Sequence, residues 1–97
     1  MAAEDRFVSR NLLTGEVARK GITVTKNSGT LNITSATYAV YNAADDSVIT
    51  AESDATIDSA DVYAAISAGT TTGQRYVIFK WVDGSYTRKA RLNFDVV

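Results

Sequence analysis

Residues 73–97 read GQRYVIFKWVDGSYTRKARLNFDVV, which is two strand-like runs joined by Asp83-Gly84. Asp followed by Gly is typical of a two-residue hairpin turn, in which both central residues adopt positive φ. The second run alternates, because apolar side chains occupy the even positions from Ala90 to Val96 and polar side chains the odd positions between them. A period of two predicts a strand with one face in a core and the other in water.

The first run of the hairpin is apolar on both faces, which is typical of a central strand that is covered on each side. The register of the hairpin decides which face is inside, since a slip of one residue turns every side chain over. A two-residue turn places Val77 and Phe79 on the core face. A three-residue turn, Asp83-Gly84-Ser85 with a bulge, places Tyr76 and Ile78 there instead.

The two registers predict different roles for the apolar side chains of the first run. In the second register Val77, Phe79 and Trp81 form an exposed patch suited to a partner, whereas in the first they are ordinary core residues. Basic side chains just after the turn would steer such a partner. The predicted contact residues are Val77, Phe79, Trp81, Tyr86, Arg88 and Lys89.

The composition narrows the classes of function. The chain has 97 residues, which predicts one domain, and it contains no His, Cys or Pro. The usual general base, the Cys nucleophile, the thiolate metal site and the disulfide are therefore absent. We expect a non-enzymatic protein with no cofactor. The sequence lacks a membrane-length apolar run and a signal-peptide pattern at its N-terminus, so we expect no membrane contact and synthesis in the cytoplasm.

The rest of the chain predicts further short strands and few helices. We expect a polar tail over residues 1–5, a single domain over residues 6–97, and a first strand at Arg6–Arg10. Strands are also predicted at Ile22–Thr25, at Leu31–Tyr41 with a bulge near Thr34-Ser35, and at Val48–Ala51 in a hairpin with the preceding strand. Two more are predicted at Ala55–Ile57 and at Asp61–Ser67, where a short capped helix over residues 60–68 is the alternative. About seven short strands with frequent turns are typical of an antiparallel, immunoglobulin-like β-sandwich or a small barrel.

Charge is distributed unevenly although the net charge is only −1. Every charged residue from Asn42 to Thr72 is acidic, while the C-terminal hairpin is mostly basic. Such polarity can guide the docking of identical copies or of other proteins. Asp54, Asp58 and Asp61 could surround Ca²⁺, but they lack the spacing of a calcium loop, and an acidic surface explains them more simply.

One further pattern covers most of the chain from Gly21 onward. It consists of Ala36-Thr37-Tyr38, a loop glycine at Gly73, the strand Tyr76–Trp81, the turn glycine Gly84 and the final Ala90-Arg91-Leu92. This pattern resembles small immunoglobulin-like domains of tailed-phage and prophage structural proteins. The resemblance implies a virion component, such as a decoration, neck, tail or baseplate protein, and it carries over no catalytic residues.

The sequence thus predicts a structural protein of a phage virion that works through contacts with other virion proteins or with identical copies. The first alternative is a carbohydrate or cell-surface binding module, with Tyr38, Tyr41, Tyr63 or Trp81 as stacking platforms. The second is a single-stranded nucleic-acid binder, because the hairpin mixes basic and aromatic side chains. Nucleic acid is disfavoured as a partner because the whole chain is slightly acidic.

Overall fold

The computed structural model describes residues 11–25 and 31–97. The predicted tail at residues 1–5 and the predicted strand Arg6–Arg10 lie outside the described residues. Within them the chain forms seven β-strands: β1 Val17–Thr23, β2 Ile33–Asn42, β3 Val48–Asp54, β4 Thr56–Asp58, β5 Asp61–Ser67, β6 Gly73–Asp83 and β7 Tyr86–Val96. The predicted all-β fold class is confirmed.

The strands form two antiparallel sheets that pack as a β-sandwich. One sheet has the order β1-β5-β4, and the other has the order β3-β2-β6-β7. This is the order of strands B-E-D and C′-C-F-G in an immunoglobulin-like sandwich. Leu12, just before β1, makes a parallel bridge to Val96 of β7, so the chain crosses from one sheet to the other before β1 begins.

The core lies between the sheets and is built from the inward face of each strand. In β6 the odd-numbered Val77 and Phe79 have no exposed surface, and in β5 Val62 and Ile66 are equally buried. Phe94 and Val96 extend this core along β7. Alternation along the strands explains the pattern, because successive side chains point to opposite faces of a sheet. The core also contains Lys20 of β1, whose Nζ lies 5.1 Å from the ring centroid of Phe94.

The C-terminal hairpin adopts the register in which Val77 and Phe79 share the core face with Ala90 and Leu92. Pairs run from Asp83↔Tyr86 to Gly73↔Val96 without interruption. The two-residue turn is not Asp83-Gly84 but Gly84-Ser85, one position later. Gly84 has φ +62° while Ser85 is not among the residues with positive φ, which is the pattern of a type II′ turn with Gly in first place. A Gly suits this site, because other residues are strained at positive φ.

The other strands predicted within the described residues are present, but two of them are longer than predicted. β3 extends to Asp54 and does not end at Ala51. β5 confirms a strand over the segment for which a helix was the alternative, and β2 with β3 forms the predicted hairpin. The predicted irregularity near Thr34-Ser35 is present as a register shift between Ile33 and Ser35. β1, however, begins at Val17 and not at Ile22, since the mixed stretch Val17–Lys20 pairs with Ser67–Ala64 of β5.

Candidate protein-interaction surface

Three of the six predicted contact residues lie in the core. Val77 and Phe79 are fully buried, and Trp81 is 7% exposed. They occupy alternate positions of β6 and face the three-stranded sheet, so the patch that the other hairpin register would have exposed does not form. The prediction that these three side chains touch a partner does not hold in this fold, because a side chain inside the sandwich offers no surface for docking.

Trp81 marks the edge of this core, close to the hairpin turn. Its partner across the ladder is Arg88. Its indole Nε1 is buried and donates no hydrogen bond to any described residue. A buried donor without an acceptor costs about 1–3 kcal/mol relative to a satisfied one. The packing of the indole ring against the core must therefore outweigh that loss.

The other three predicted contact residues lie on the first half of β7 and are exposed. Tyr86 is 66% exposed, and the guanidinium of Arg88 lies 5.5 Å from the centroid of its ring. Tyr86 to Lys89 are exposed at four consecutive positions, so this half of the strand has water on both faces. A strand whose two faces are open projects beyond the core, and its side chains are available to another molecule.

An aromatic and cationic cluster covers one end of the outer face of the four-stranded sheet. The rings of Tyr41 and Tyr76 stack with centroids 5.0 Å apart and planes inclined by 18°. The guanidinium of Arg91 lies 3.8 Å from the Tyr76 ring centroid, and its Nε donates to Oδ1 of Asn93 at 2.9 Å. This layer covers Tyr76 on the solvent side, which explains why an outward-facing residue is only 8% exposed.

The hydroxyl of Tyr76 ties this cluster to the acidic loop between β2 and β3. It donates a hydrogen bond of 2.8 Å to Oδ1 of Asp46. That hydrogen bond, with desolvation and the negative charge of Asp46, raises the pKa of Tyr76 above its ordinary value. Asp46 itself has φ +61°, a conformation that Asp tolerates better than most residues.

A shallow groove of about 80 Å³ crosses the middle of the same outer face. Its polar part is a short network, in which Lys80 Nζ lies 2.8 Å from Oε2 of Glu52 and the Thr37 hydroxyl donates to the same oxygen at 2.6 Å. The hydrogen bond from Lys80 is the main cause that lowers the pKa of Glu52, followed by the one from Thr37. Lys89 lines the groove on the β7 side.

The two edges of the four-stranded sheet differ in regularity. β3 forms one edge, and its pairing with β2 shifts register twice, between Tyr38 and Val40 and between Val40 and Tyr41. Bulges of this kind protect an edge strand from pairing with another chain, although Val48 and Ile49 are exposed there. β7 forms the other edge and is paired regularly with β6 along its whole length. Among the described residues, the edge with the more regular strand is thus the one that carries the basic side chains.

The aromatic rings considered for carbohydrate binding do not lie open as platforms. Trp81 is buried, Tyr38 packs against the core, and Tyr41 is stacked on Tyr76. Tyr63 is half-buried, with the guanidinium of Arg19 4.8 Å from its ring centroid.

The basic and aromatic residues of the hairpin, which suggested nucleic-acid binding, do not lie together on one exposed face of the fold. Phe79 and Trp81 face inward, Arg75 is 7% exposed, and Lys80 is paired with Glu52. Tyr86 is the aromatic side chain of the described hairpin that stands well exposed beside basic residues. The stacking platform with interleaved charge that the sequence suggested is therefore not assembled on this face.

The acidic segment was also considered as a calcium site. Among residues 11–25 and 31–97 no group of three or more acidic side chains is arranged to hold a metal ion. Asp61 accepts a hydrogen bond from the Thr23 hydroxyl at 2.7 Å. The described part of the chain also has no helix with the length and apolar character needed to cross a membrane.

Comparison with known proteins adds no relative. No protein-family model matches the chain, and neither the curated proteins nor the solved structures searched contain a match.

Sequence reasoning missed two features of this surface. The Tyr41–Tyr76–Arg91 cluster depends on the pairing of β2 with β6, which no local pattern reveals. The difference between the two sheet edges depends on the strand order. The sequence does contain a pattern that bears on the β7 edge. Thr87, Arg88 and Lys89 are three consecutive polar residues, and they lie in the part of β7 that is outside the core.

Proposed function

We propose that this chain is a non-enzymatic assembly protein of a phage virion, which acts through protein–protein contacts made by the exposed half of β7. The observation that carries the proposal is the arrangement of Tyr86, Arg88 and Lys89. These side chains lie outside the core, on a regular sheet edge, and they combine one large aromatic surface with two positive charges. Tyr and Arg are the residue types enriched where binding energy concentrates in protein interfaces.

The virion assignment rests on the resemblance of the strand and turn pattern to phage structural domains. The β-sandwich supports it, because such sandwiches serve as rigid scaffolds that present loops and edges to other proteins. Fold alone does not determine function, so the assignment needs a direct test.

The direct test is to ask whether the chain is part of particles. Particles produced by a strain that carries the gene are purified on a density gradient and analysed by quantitative mass spectrometry and immunogold electron microscopy. We expect the chain to co-purify with the particles at a constant ratio to their major proteins. Its absence from particles, while it is present in the lysate, would refute the virion role.

A pair of variants tests the contact surface. Tyr86→Ser removes the exposed ring from β7, and Val17→Ser is the matched control, since Val17 is 63% exposed on the other sheet. We expect Tyr86→Ser to lower incorporation into particles by about tenfold, the effect of losing an interface residue worth somewhat more than 1 kcal/mol. Val17→Ser should have no effect, and equal effects of the two variants would contradict the assignment.

A further inference from the structure

The edge of β7 that does not pair with β6 has a definite set of backbone groups that point away from the sheet. The pair Asp83↔Tyr86 flanks a two-residue turn and is therefore a hydrogen-bonded pair. Even-numbered residues of β7 then bond to β6, and odd-numbered residues direct their N–H and C=O groups outward. Asp95 agrees with this alternation, because its carbonyl accepts from Leu12 N at 2.9 Å and its N–H donates to Oδ1 of Asn11 at 3.0 Å.

Four residues before Asp95 have no such partner within residues 11–25 and 31–97. They are Thr87, Lys89, Arg91 and Asn93, and Leu12 bridges only to the end of the strand. All four are exposed. An edge strand with unpaired N–H and C=O groups is a template for one more strand.

The side chains along this edge specify what the added strand would carry. On the outer face Lys89 and Arg91 present positive charge to a neighbour about 4.8 Å away. On the inner face Ala90 and Leu92 are half-buried and adjoin the core. A strand that complements this edge would therefore carry acidic residues on its outer face and apolar residues on its inner face. In its sequence the two kinds of residue would alternate strictly.

The same charges decide against self-pairing of β7. Two copies joined edge to edge through β7 would bring Arg88, Lys89 and Arg91 of each copy together, and like charges on neighbouring strands are destabilising. The opposite edge of the sheet, β3, is acidic at Glu52 and Asp54 but interrupted by two bulges. A partner with a regular acidic strand therefore fits β7 better than a second copy does.

We infer that β7 accepts an extended segment of another protein, in which acidic and apolar residues alternate, as an additional strand of the four-stranded sheet. This inference rests on the proposal above that the chain works by protein contacts, and it names the chemistry of the partner. Main-chain hydrogen bonds supply affinity, and the alternating side chains supply specificity.

The test uses the whole chain and two synthetic peptides. The first alternates valine with glutamate, and the second has lysine in place of each glutamate. Binding is followed by ¹H–¹⁵N spectra and amide exchange. We expect the glutamate peptide to slow exchange of the amides of Lys89, Arg91 and Asn93 by about tenfold or more, while the amides of Arg88 and Leu92, which already bond to β6, change little. The inference would be overturned if the peptide slowed the exchange of odd- and even-numbered amides of β7 alike. It would also be overturned if the lysine peptide bound as tightly as the glutamate peptide.

Variants separate the backbone contribution from the charge. Thr87→Pro removes one outward N–H without touching the bonds to β6, and a proline is tolerated at such an edge position. It should weaken peptide binding by about tenfold, the loss of one hydrogen bond plus a poorer fit. Lys89→Glu should weaken binding of the glutamate peptide by about two- to fivefold, while Arg19→Glu, an exposed charge on the other sheet, should not change it. Unchanged binding by both edge variants would overturn the inference.

Three further outcomes are distinguishable. If a chain that begins at Asn11 binds the glutamate peptide and the whole chain does not, residues 1–10 block the edge, and the inference fails for the whole protein. If the peptide binds but the chain is absent from particles, the virion role fails and strand addition stands. If the chain is in particles and the peptide does not bind, strand addition fails and the virion role stands.

Discussion

Replacing Phe79 and Ile78 one at a time tests the hairpin register on which the contact surface depends. The two residues are neighbours on β6, but Phe79 faces the core with no exposed surface, whereas Ile78 is half-buried on the outer face. In the alternative register their roles would be exchanged, and the patch Val77, Phe79 and Trp81 would be open to a partner.

The expected decrease in the free energy of unfolding follows from how much of each side chain is buried. Phe79→Ala removes a fully buried ring and should cost about 3–5 kcal/mol, which includes the cavity left behind. Ile78→Ala removes a side chain that is only partly buried and should cost about 1–2 kcal/mol, because less apolar area leaves water on folding than at Phe79. Against a total stability of about 5–15 kcal/mol, the first is a large fraction and the second is modest.

Equilibrium unfolding in urea, followed by tryptophan emission, measures these losses. Trp81 is the only tryptophan, so its emission reports one site. With a slope of about 1.5 kcal/mol/M, Phe79→Ala should lower the urea midpoint by about 2–3 M and Ile78→Ala by about 1 M. Phe79→Leu leaves a smaller cavity than Phe79→Ala, so it should lower the free energy of unfolding less and provides a folded variant if Phe79→Ala does not fold. A loss for Ile78→Ala equal to or larger than that for Phe79→Ala would refute the register and return Phe79 to the list of contact residues.

Two further predictions concern the outer face and the turn. The hydrogen bond from Tyr76 to Asp46 raises the pKa of Tyr76 in the folded state. The contribution of this hydrogen bond to the free energy of unfolding is therefore fully present below the ordinary tyrosine pKa of about 10, and it is lost as the pH rises through the higher folded value. In an alkaline titration at 295 nm, Tyr76→Phe should remove an ionisation step that lies above the ordinary tyrosine value, and survival of that step in Tyr76→Phe would contradict the assignment. Gly84→Ala should cost about 1–2 kcal/mol through backbone strain alone, because φ is +62° and an added Cβ meets no atom within 4 Å. Ser85→Ala at the next position should stay within about 0.5 kcal/mol in the same urea assay, and equal losses for the two variants would show that the turn does not sit at Gly84-Ser85.

The regular alternation of apolar and polar residues is the pattern from which strands were predicted correctly. The apolar residues at even positions from Ala90 to Val96 predicted both a strand and its buried face, and β7 has that face inward. β5 was predicted for the same reason, since Val62, Ala64 and Ile66 alternate. Local alternation reports burial directly, because each side chain of a strand sees one face of the sheet.

A strand that is apolar on both faces carries no such information. The two faces of β6 became distinguishable only when β7 was paired with it from Gly84-Ser85, which put Val77 and Phe79 inside. The outer side chains are covered instead by neighbours from other strands, as Tyr76 is by Tyr41 and Arg91. Because hydrophobicity does not tell the two faces apart, Val77, Phe79 and Trp81 were predicted as candidates for a contact surface although they are buried.

The sequence by itself determined that this chain is an all-β protein without His or Cys chemistry and that its last two strands form a hairpin, because composition and the period of two are local properties. Only the tertiary structure decided which edge of the sheet is regular, which residues of β7 leave the core, and which of their backbone groups point outward. Those properties depend on the order β3-β2-β6-β7 and on the position of the turn, which arise from pairing between distant segments. A shift of one residue in that pairing would turn every side chain of the hairpin to the opposite face.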